Sequence, residues 1–255
     1  SSLFVDKTAP DFNASQPAYS SIKINTSTLK YTVTEDLSSG SITYTRTGGT
    51  ADTNSPHVLN LAGDQLQSGS ERTITNPTSP HSLVDGTEYK ITYIGVDLAG
   101  NTGVAETINL TYDTTAPSLN TVTIASSNSV TDKAKENDVI TLTIAANETI
   151  TQPTVSFSIG GTAVSPSVSP SGPGSNYTAT YTVLSGQNGS VTFSISSYSD
   201  SAGNAGPTVT ALTSGSSVTV DTIAPVISQE TKISTITNST TPIYVFSSDK
   251  TGTIT

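Results

Sequence analysis

The chain has 255 residues, 20 acidic and 10 basic side chains, a formal charge of −10 and no cysteine. That balance argues against nucleic acid and anionic membrane surfaces, which attract Lys and Arg, while the missing cysteine excludes disulfides and thiolate chemistry. Only 33% of residues are hydrophobic, and Ser and Thr supply roughly a third of the chain, a usage that favours strands and turns over helices. Neither a signal-peptide pattern nor an apolar run of membrane-spanning length is present. Methionine is absent even from position 1, which reads as a processed or excised chain.

Internal repeats organise the chain. VDKTAP (Val5 to Pro10) recurs as YDTTAP (Tyr112 to Pro117) and as VDTIAP (Val220 to Pro225), so the leading aspartates Asp6, Asp113 and Asp221 are spaced by about 107 residues. The expected domains are therefore 1–112, 113–220 and, for 221–255, the beginning of a third repeat. In the first, Ile22 and Ile24, then Tyr31 and Val33, then Ile42 and Tyr44, predict early strands. The polar stretch from Gly48 to Ser82 predicts extended loops with one or two short strands. LVDGTEYKITYIGVD (Leu83 to Asp97) predicts a turn at Asp85-Gly86 and a clear strand. In the second, Ile140 to Ile144, then Val155, Phe157 and Ile159, then Tyr177 to Val183, Val191 to Ile195, and Val218 with Val220 all alternate apolar with polar. Period-two alternation means one buried and one wet face. Asn188-Gly189 predicts a hairpin turn. Several such strands in each repeat predict an all-β chain of tandem antiparallel β-sandwiches, arranged as an elongated rod. The third repeat has material for about three strands, too little to bury a core alone, so it reads either as continuing beyond Thr255 or as completing a neighbouring molecule.

A second pentapeptide recurs: DLAGN (Asp97 to Asn101) and DSAGN (Asp200 to Asn204). With the DTTAP-type linkers, the Asn137-Asp138 turn before Val139 to Ile144, and the ANE segment (Ala146 to Glu148), these motifs resemble bacterial immunoglobulin-like repeats. GTEYKITYIGVDLAGN also resembles fibronectin type III modules. The resemblance implies tandem repeats of large surface adhesins: extracellular, rod-forming, often calcium-binding spacers.

Placed on a seven-strand sandwich, the acidic residues converge. Asp6 precedes the first strand, Glu35 begins the loop after the strand near Leu29 to Thr34, and Asp97 with Asn101 forms a loop at the same pole. The equivalent set in the second repeat is Asp113, Glu148, Asp200 and Asn204; in the third, Asp221 and Asp249 remain. Like charges at close range repel, and a bound Ca²⁺, which takes six to eight oxygens, removes that cost. Asp97 and Asp200 would supply carboxylates, and Asn101 and Asn204 amide oxygens. Magnesium fits less well, since loops seldom give its octahedron. Against this stands the plain reading of Asp and Asn as turn residues.

Catalytic motifs are absent: no G-x-S-x-G, H-E-x-x-H or phosphate-loop pattern occurs. His57 and His81 read as exposed loop residues, a paired transition-metal site being the lesser alternative. The tyrosines, including Tyr19, Tyr31, Tyr44, Tyr89, Tyr93, Tyr177 and Tyr181, read as core rather than as a sugar-binding face. The expectation is a non-enzymatic, extracellular spacer of a bacterial surface adhesin or fibre, stiffened by calcium where repeats join. Its partners are neighbouring immunoglobulin-like repeats of the same or an adjacent chain, with any surface or glycan ligand elsewhere in the parent protein and no direct membrane insertion. Alternatives are a self-assembling filament subunit joined by strand complementation and a carbohydrate-binding accessory module of a secreted enzyme.

Overall fold

A computed structural model describes residues 5–19, 22–79, 81–107, 109–165, 168–232, 240–241 and 243–253. Among them the regular structure is strand apart from one short 3-10 turn at Gly63–Leu66. The chain divides into two compact units. One holds Ser1–Leu119 with the loops Ala146–Pro153 and Ser196–Thr208; the other holds Asn120–Ala145, Thr154–Ile195 and Val209–Thr255.

In the first unit the strands are β1 (Phe12–Gln16), β2 (Lys23–Ile24), β3 (Leu29–Val33), β4 (Leu37–Gly49), β5 (His57–Asn60), β6 (Arg72–Ile74), β7 (Thr87–Asp97), β8 (Thr102–Glu106) and β9 (Leu110–Tyr112). One sheet has the order β1-β3-β6; the other runs β2-β9-β7-β4-β5, with β8 also pairing β7. All pairs are antiparallel except β2 with β9. Residues from both sheets share one core: Phe12, Leu29, Tyr31 and Val33 from one, Ile42, Tyr44, Tyr89, Ile91, Tyr93 and Leu110 from the other. This is an immunoglobulin-like β-sandwich. With no disulfide to staple it, large aromatics fill the space between sheets. Phe12 meets Tyr31 and Tyr93 at ring-centre distances of 5.7 and 5.6 Å, and Tyr19 stands edge-on to Tyr93 at 5.9 Å, contacts worth about 0.5–1.5 kcal/mol each beyond area burial. Ile22, expected on a strand, is instead 72% exposed, and Ile24 alone of that pair reaches the core.

The alternation of β7 is the cleanest in the chain. Thr87, Tyr89, Ile91, Tyr93, Gly95 and Asp97 all point inward, and the residues between them point out. Asp97 is thus the last inward position of a buried strand, which places a carboxylate at the rim of the core.

The second sandwich uses β10 (Leu119–Ser126), β11 (Lys133–Ala134), β12 (Val139–Ala146), β13 (Thr154–Ile159), β14 (Thr162–Ala163), β15 (Asn176–Thr182), β16 (Asn188–Ser196) and β17 (Thr219–Asp221). Its sheets are β10-β12-β15 and β11-β17-β16-β13-β14, again with a parallel pair, β11 with β17. The alternating apolar residues of β12, β13, β15 and β16 are buried, from Ile140 and Leu142 to Phe193 and Ile195. Asn188-Gly189 is not a hairpin turn. Both residues lie in β16 and pair with Asp221 and Val220, because β15 and β16 belong to different sheets and the chain turns at Leu184 to Gln187. Of the third repeat, β18 (Ile227–Thr231) and β19 (Val245–Ser248) pair antiparallel with each other, and β18 is exposed along its whole length. The expectation of about three strands there falls partly on 233–239, 242 and 254–255, outside the described residues.

Candidate metal centre

The two D-x-A-G-N turns fold alike, bond for bond. Asp97 Oδ1 accepts the N–H groups of Ala99 and Asn101, both at 2.8 Å, and Oδ2 accepts Asn101 Nδ2–H at 2.7 Å. Asp200 Oδ1 accepts from Ala202 (2.9 Å) and Asn204 (2.8 Å), and Oδ2 from Asn204 Nδ2–H (2.8 Å). Gly100 and Gly203 take φ of 92° and 94°, where a side chain would be strained. Each asparagine also donates Nδ2–H to the linker: Asn101 to the Asp6 carbonyl (3.3 Å) and Asn204 to the Asp113 carbonyl (2.8 Å). The glycine therefore makes the turn, the aspartate ties it, and the asparagine holds the linker against it. The asparagines were expected to present an amide oxygen to a metal. Here Nδ2 of each donates to the turn aspartate and to the linker carbonyl, and Asn204 Oδ1 accepts Asn25 Nδ2–H at 3.3 Å.

Each turn brings three carboxylates together. Asp6, Glu35 and Asp97 place one oxygen each within 4.8 Å of the others, and so do Asp113, Glu148 and Asp200. The linker aspartates cap their own turns with Oδ1, accepting from Thr8 N–H (3.0 Å) and Thr115 N–H (3.2 Å). In both groups the turn aspartate is buried, while its companions are half-buried, apart from the exposed Asp6. Burial would raise the Asp97 and Asp200 carboxyls, but the asparagine side chains and turn N–H groups outweigh it and hold both below the ordinary aspartate value. Glu35 moves the other way, raised first by burial and then by the charges of Asp6 and Asp97. The first group behaves as a crowded anionic site.

The second group differs in one respect that the sequence did not flag. Lys23 Nζ, from β2, lies 2.8 Å from Asp113 Oδ2 and 3.3 Å from Glu148 Oε2, and these carboxylates raise the lysine. Among the described residues, no ion pair reaches Asp6, Glu35 or Asp97. Asp221 departs further from expectation. Among the described residues it joins no acidic group, and Lys250 Nζ stands 2.7 Å from each of its carboxylate oxygens.

An all-oxygen set of three carboxylates suits a hard cation such as Ca²⁺, which accepts mono- or bidentate carboxylates and completes its shell with carbonyls and water. Among the described residues, Asp6, Glu35 and Asp97 present no paired cation to displace, whereas Asp113, Glu148 and Asp200 would take the ion once Lys23 moves aside.

His57 is not an exposed loop residue. It begins β5, is 5% exposed, and its Nε2 lies 2.6 Å from Asp52 Oδ2, which also accepts Tyr89 Oη–H at 2.6 Å. Asp52 further accepts Asn54 N–H at 2.9 Å; burial raises its carboxyl, but these bonds outweigh burial and hold it low. Nothing in the run TADTNSPH marks a buried network, since its acid and imidazole sit in a polar stretch that reads as loop. His81 is exposed as expected. Tyr31, Tyr44, Tyr89, Tyr93, Tyr177 and Tyr181 are buried, so none of them contributes to an aromatic platform for sugars.

No known family profile and no curated protein matches the chain. Among solved structures, the titin domains Z1Z2 in complex with telethonin are 14% identical, over 86% of this chain and 98% of that one, with a TM-score of 0.27. At that score the likeness carries no argument, and the immunoglobulin-like architecture rests on the sheets themselves.

Proposed function

We propose that the chain is a non-enzymatic structural spacer of a bacterial cell surface, an adhesin or fibre segment in which immunoglobulin-like repeats are held at their linkers by Ca²⁺. The observation that carries this reading is the recurrence of one arrangement: a linker aspartate, a loop glutamate and a turn aspartate, brought within 4.8 Å of one another twice. In the first group Asp6, Glu35 and Asp97 would hold the ion, and in the second Asp113, Glu148 and Asp200. The bound ion supplies neutralising charge and a tie between linker and loops. The chain's own contribution is placement: Gly100 and Gly203 shape the turns, and Asn101 and Asn204 draw the linker carbonyls in. Extracellular modules bind calcium at about 10⁻⁴–10⁻³ M, so the linkers would be stiff outside cells and slack without the ion.

Calorimetric titration of the intact chain with Ca²⁺ tests this, with small-angle scattering before and after chelation. The expected result is binding in that range and a wider spread of orientations after chelation. Absence of both binding heat and any scattering change would sink the proposal. A second reading draws on the hairpin of β18 and β19. There Ile227 and Val245 are exposed, as are Ile243 and Tyr244 just before β19, an apolar edge suited to strand addition by a neighbouring molecule. Concentration-dependent assembly that is abolished by Ile227→Lys would favour the filament reading.

A further inference from the structure

The three linkers share one pair of hydrogen bonds. Asp11 N–H donates to Thr34 Oγ1 (2.9 Å), Ser118 N–H to Asn147 Oδ1 (2.8 Å) and Val226 N–H to Asp249 Oδ1 (2.8 Å). The return bonds match: Thr34, Asn147 and Asp249 each donate N–H to the carbonyl of that same partner, at 3.1, 2.9 and 3.3 Å. Asp11, Ser118 and Val226 each lie five residues beyond a linker aspartate. Thr34, Asn147 and Asp249 are therefore one structural position written three ways. The residue after it is Glu35 in the first repeat, Glu148 in the second and Lys250 in the third.

That substitution reverses the charge facing the linker. Lys250 Nζ lies 2.7 Å from both oxygens of Asp221 and 2.6 Å from the Ile223 carbonyl. An ammonium has three donors, and all three find an acceptor on the linker. Asp221 Oδ1 also caps Ile223 N–H at 3.0 Å, as Asp6 and Asp113 cap their own turns. The linker thus keeps the same turn and the same acidic residue while the charge beside it changes from minus to plus. The middle linker is intermediate: it has the glutamate, and Lys23 arrives from β2.

We propose that Lys250 is a resident cation, fixing the linker aspartate Asp221 where the first two repeats place a glutamate, so that this linker is ordered without a divalent ion. The contrast with the first two linkers rests on the calcium reading above; the role of Lys250 does not. The lowered Asp221 carboxyl, held down first by the Lys250 hydrogen bond, agrees with it. The pair is partly open to solvent, with Asp221 56% exposed, so salt screens it.

The test is carbonyl-carbon NMR of the aspartate side chains in the intact chain, as wild type, Lys250→Met and Lys250→Arg, with Ca²⁺ or with chelator. In wild type, Asp221 is expected to titrate below the ordinary aspartate value and to keep its shift when Ca²⁺ is added. Lys250→Met should return its titration toward the ordinary value, and Lys250→Arg should keep it low. A Ca²⁺-induced shift of Asp221 in wild type would overturn the proposal, as would an unchanged titration in Lys250→Met. The calcium reading fails separately, if neither Asp97 nor Asp200 responds to Ca²⁺.

Discussion

Two tyrosines on the same face of β7 should respond oppositely to loss of their hydroxyls. Tyr89 and Tyr93 are both fully buried, four residues apart. The Tyr89 hydroxyl donates to the Asp52 carboxylate at 2.6 Å and accepts Val84 N–H at 3.1 Å. Among the described residues, the Tyr93 hydroxyl has no hydrogen-bond partner, and burial pushes its own ionisation up. A hydrogen bond to a charged group contributes about 1.5–3 kcal/mol, and an orphaned backbone donor adds to the loss. Tyr89→Phe should therefore cost about 2–3 kcal/mol, a roughly 30- to 150-fold increase in opening. Tyr93→Phe removes a polar atom from an apolar site and leaves nothing unpaired, so its effect should lie between neutral and about 1 kcal/mol stabilising. Amide hydrogen exchange at Tyr44 and Ile91 reads the opening of the first sandwich in the intact chain. Equal exchange rates for the two variants would refute the account of the Asp52–His57–Tyr89 network, since ring packing is conserved in both.

Glu35→Gln should change sign with calcium. In chelator it relieves crowding of Glu35 with Asp6 and Asp97 and raises the melting temperature; in Ca²⁺ it removes a ligand and lowers it. Calcium itself, at millimolar excess over sites of the proposed affinity, should stabilise by about 0.6–1.8 kcal/mol per site, a shift of several degrees seen in calorimetry and reversed by chelation. Acid should act through Asp97 and Asp200. Their folded values are depressed, so their contribution is complete above the ordinary aspartate range and is lost as pH falls through the depressed values. Asp97→Asn and Asp200→Asn should flatten that acid limb in pH-dependent melts. Gly103→Ala places a Cβ 1.7 Å from the Pro10 carbonyl oxygen, a backbone atom that cannot swing away, and should cost about 3 kcal/mol in urea unfolding.

The period-two pattern from Leu83 to Asp97 carried the most information, because a strand buried along one face leaves little choice of register. It predicts the buried tyrosines and puts Asp97 in the loop that follows, with Asp200 in the equivalent loop of the next repeat; that Asp97 is the last inward position of the strand emerges only from the structure. Where the structure departs from expectation, the deciding contacts are long-range and leave no local pattern. Asn188-Gly189 has the composition of a turn but is held inside β16 by β17. His57 and Asp52 lie in a polar run, yet Tyr89, from a distant strand, donates to the Asp52 carboxylate that His57 also meets. Lys23 and Lys250 are single basic residues without a motif. Only the structural equivalence of Glu35, Glu148 and Lys250 reveals that a charge has been inverted.

The parallel pair β2 and β9 joins a strand near the start of the first sandwich to its last strand, through Thr111 N–H to the Ile22 carbonyl (2.7 Å) and Asp113 N–H to the Ile24 carbonyl (2.8 Å). A pull on the two ends of that sandwich draws these strands in opposite directions along their own length. The bonds then lie across the load and must rupture together, in shear, whereas a hairpin peeled from one end would give way one bond at a time. The same parallel pairing recurs in β11 and β17. Each sandwich thus closes with a parallel pair that a pull on its two ends would load in shear, and the linker aspartates Asp113 and Asp221 sit one residue past the last residue of that pair.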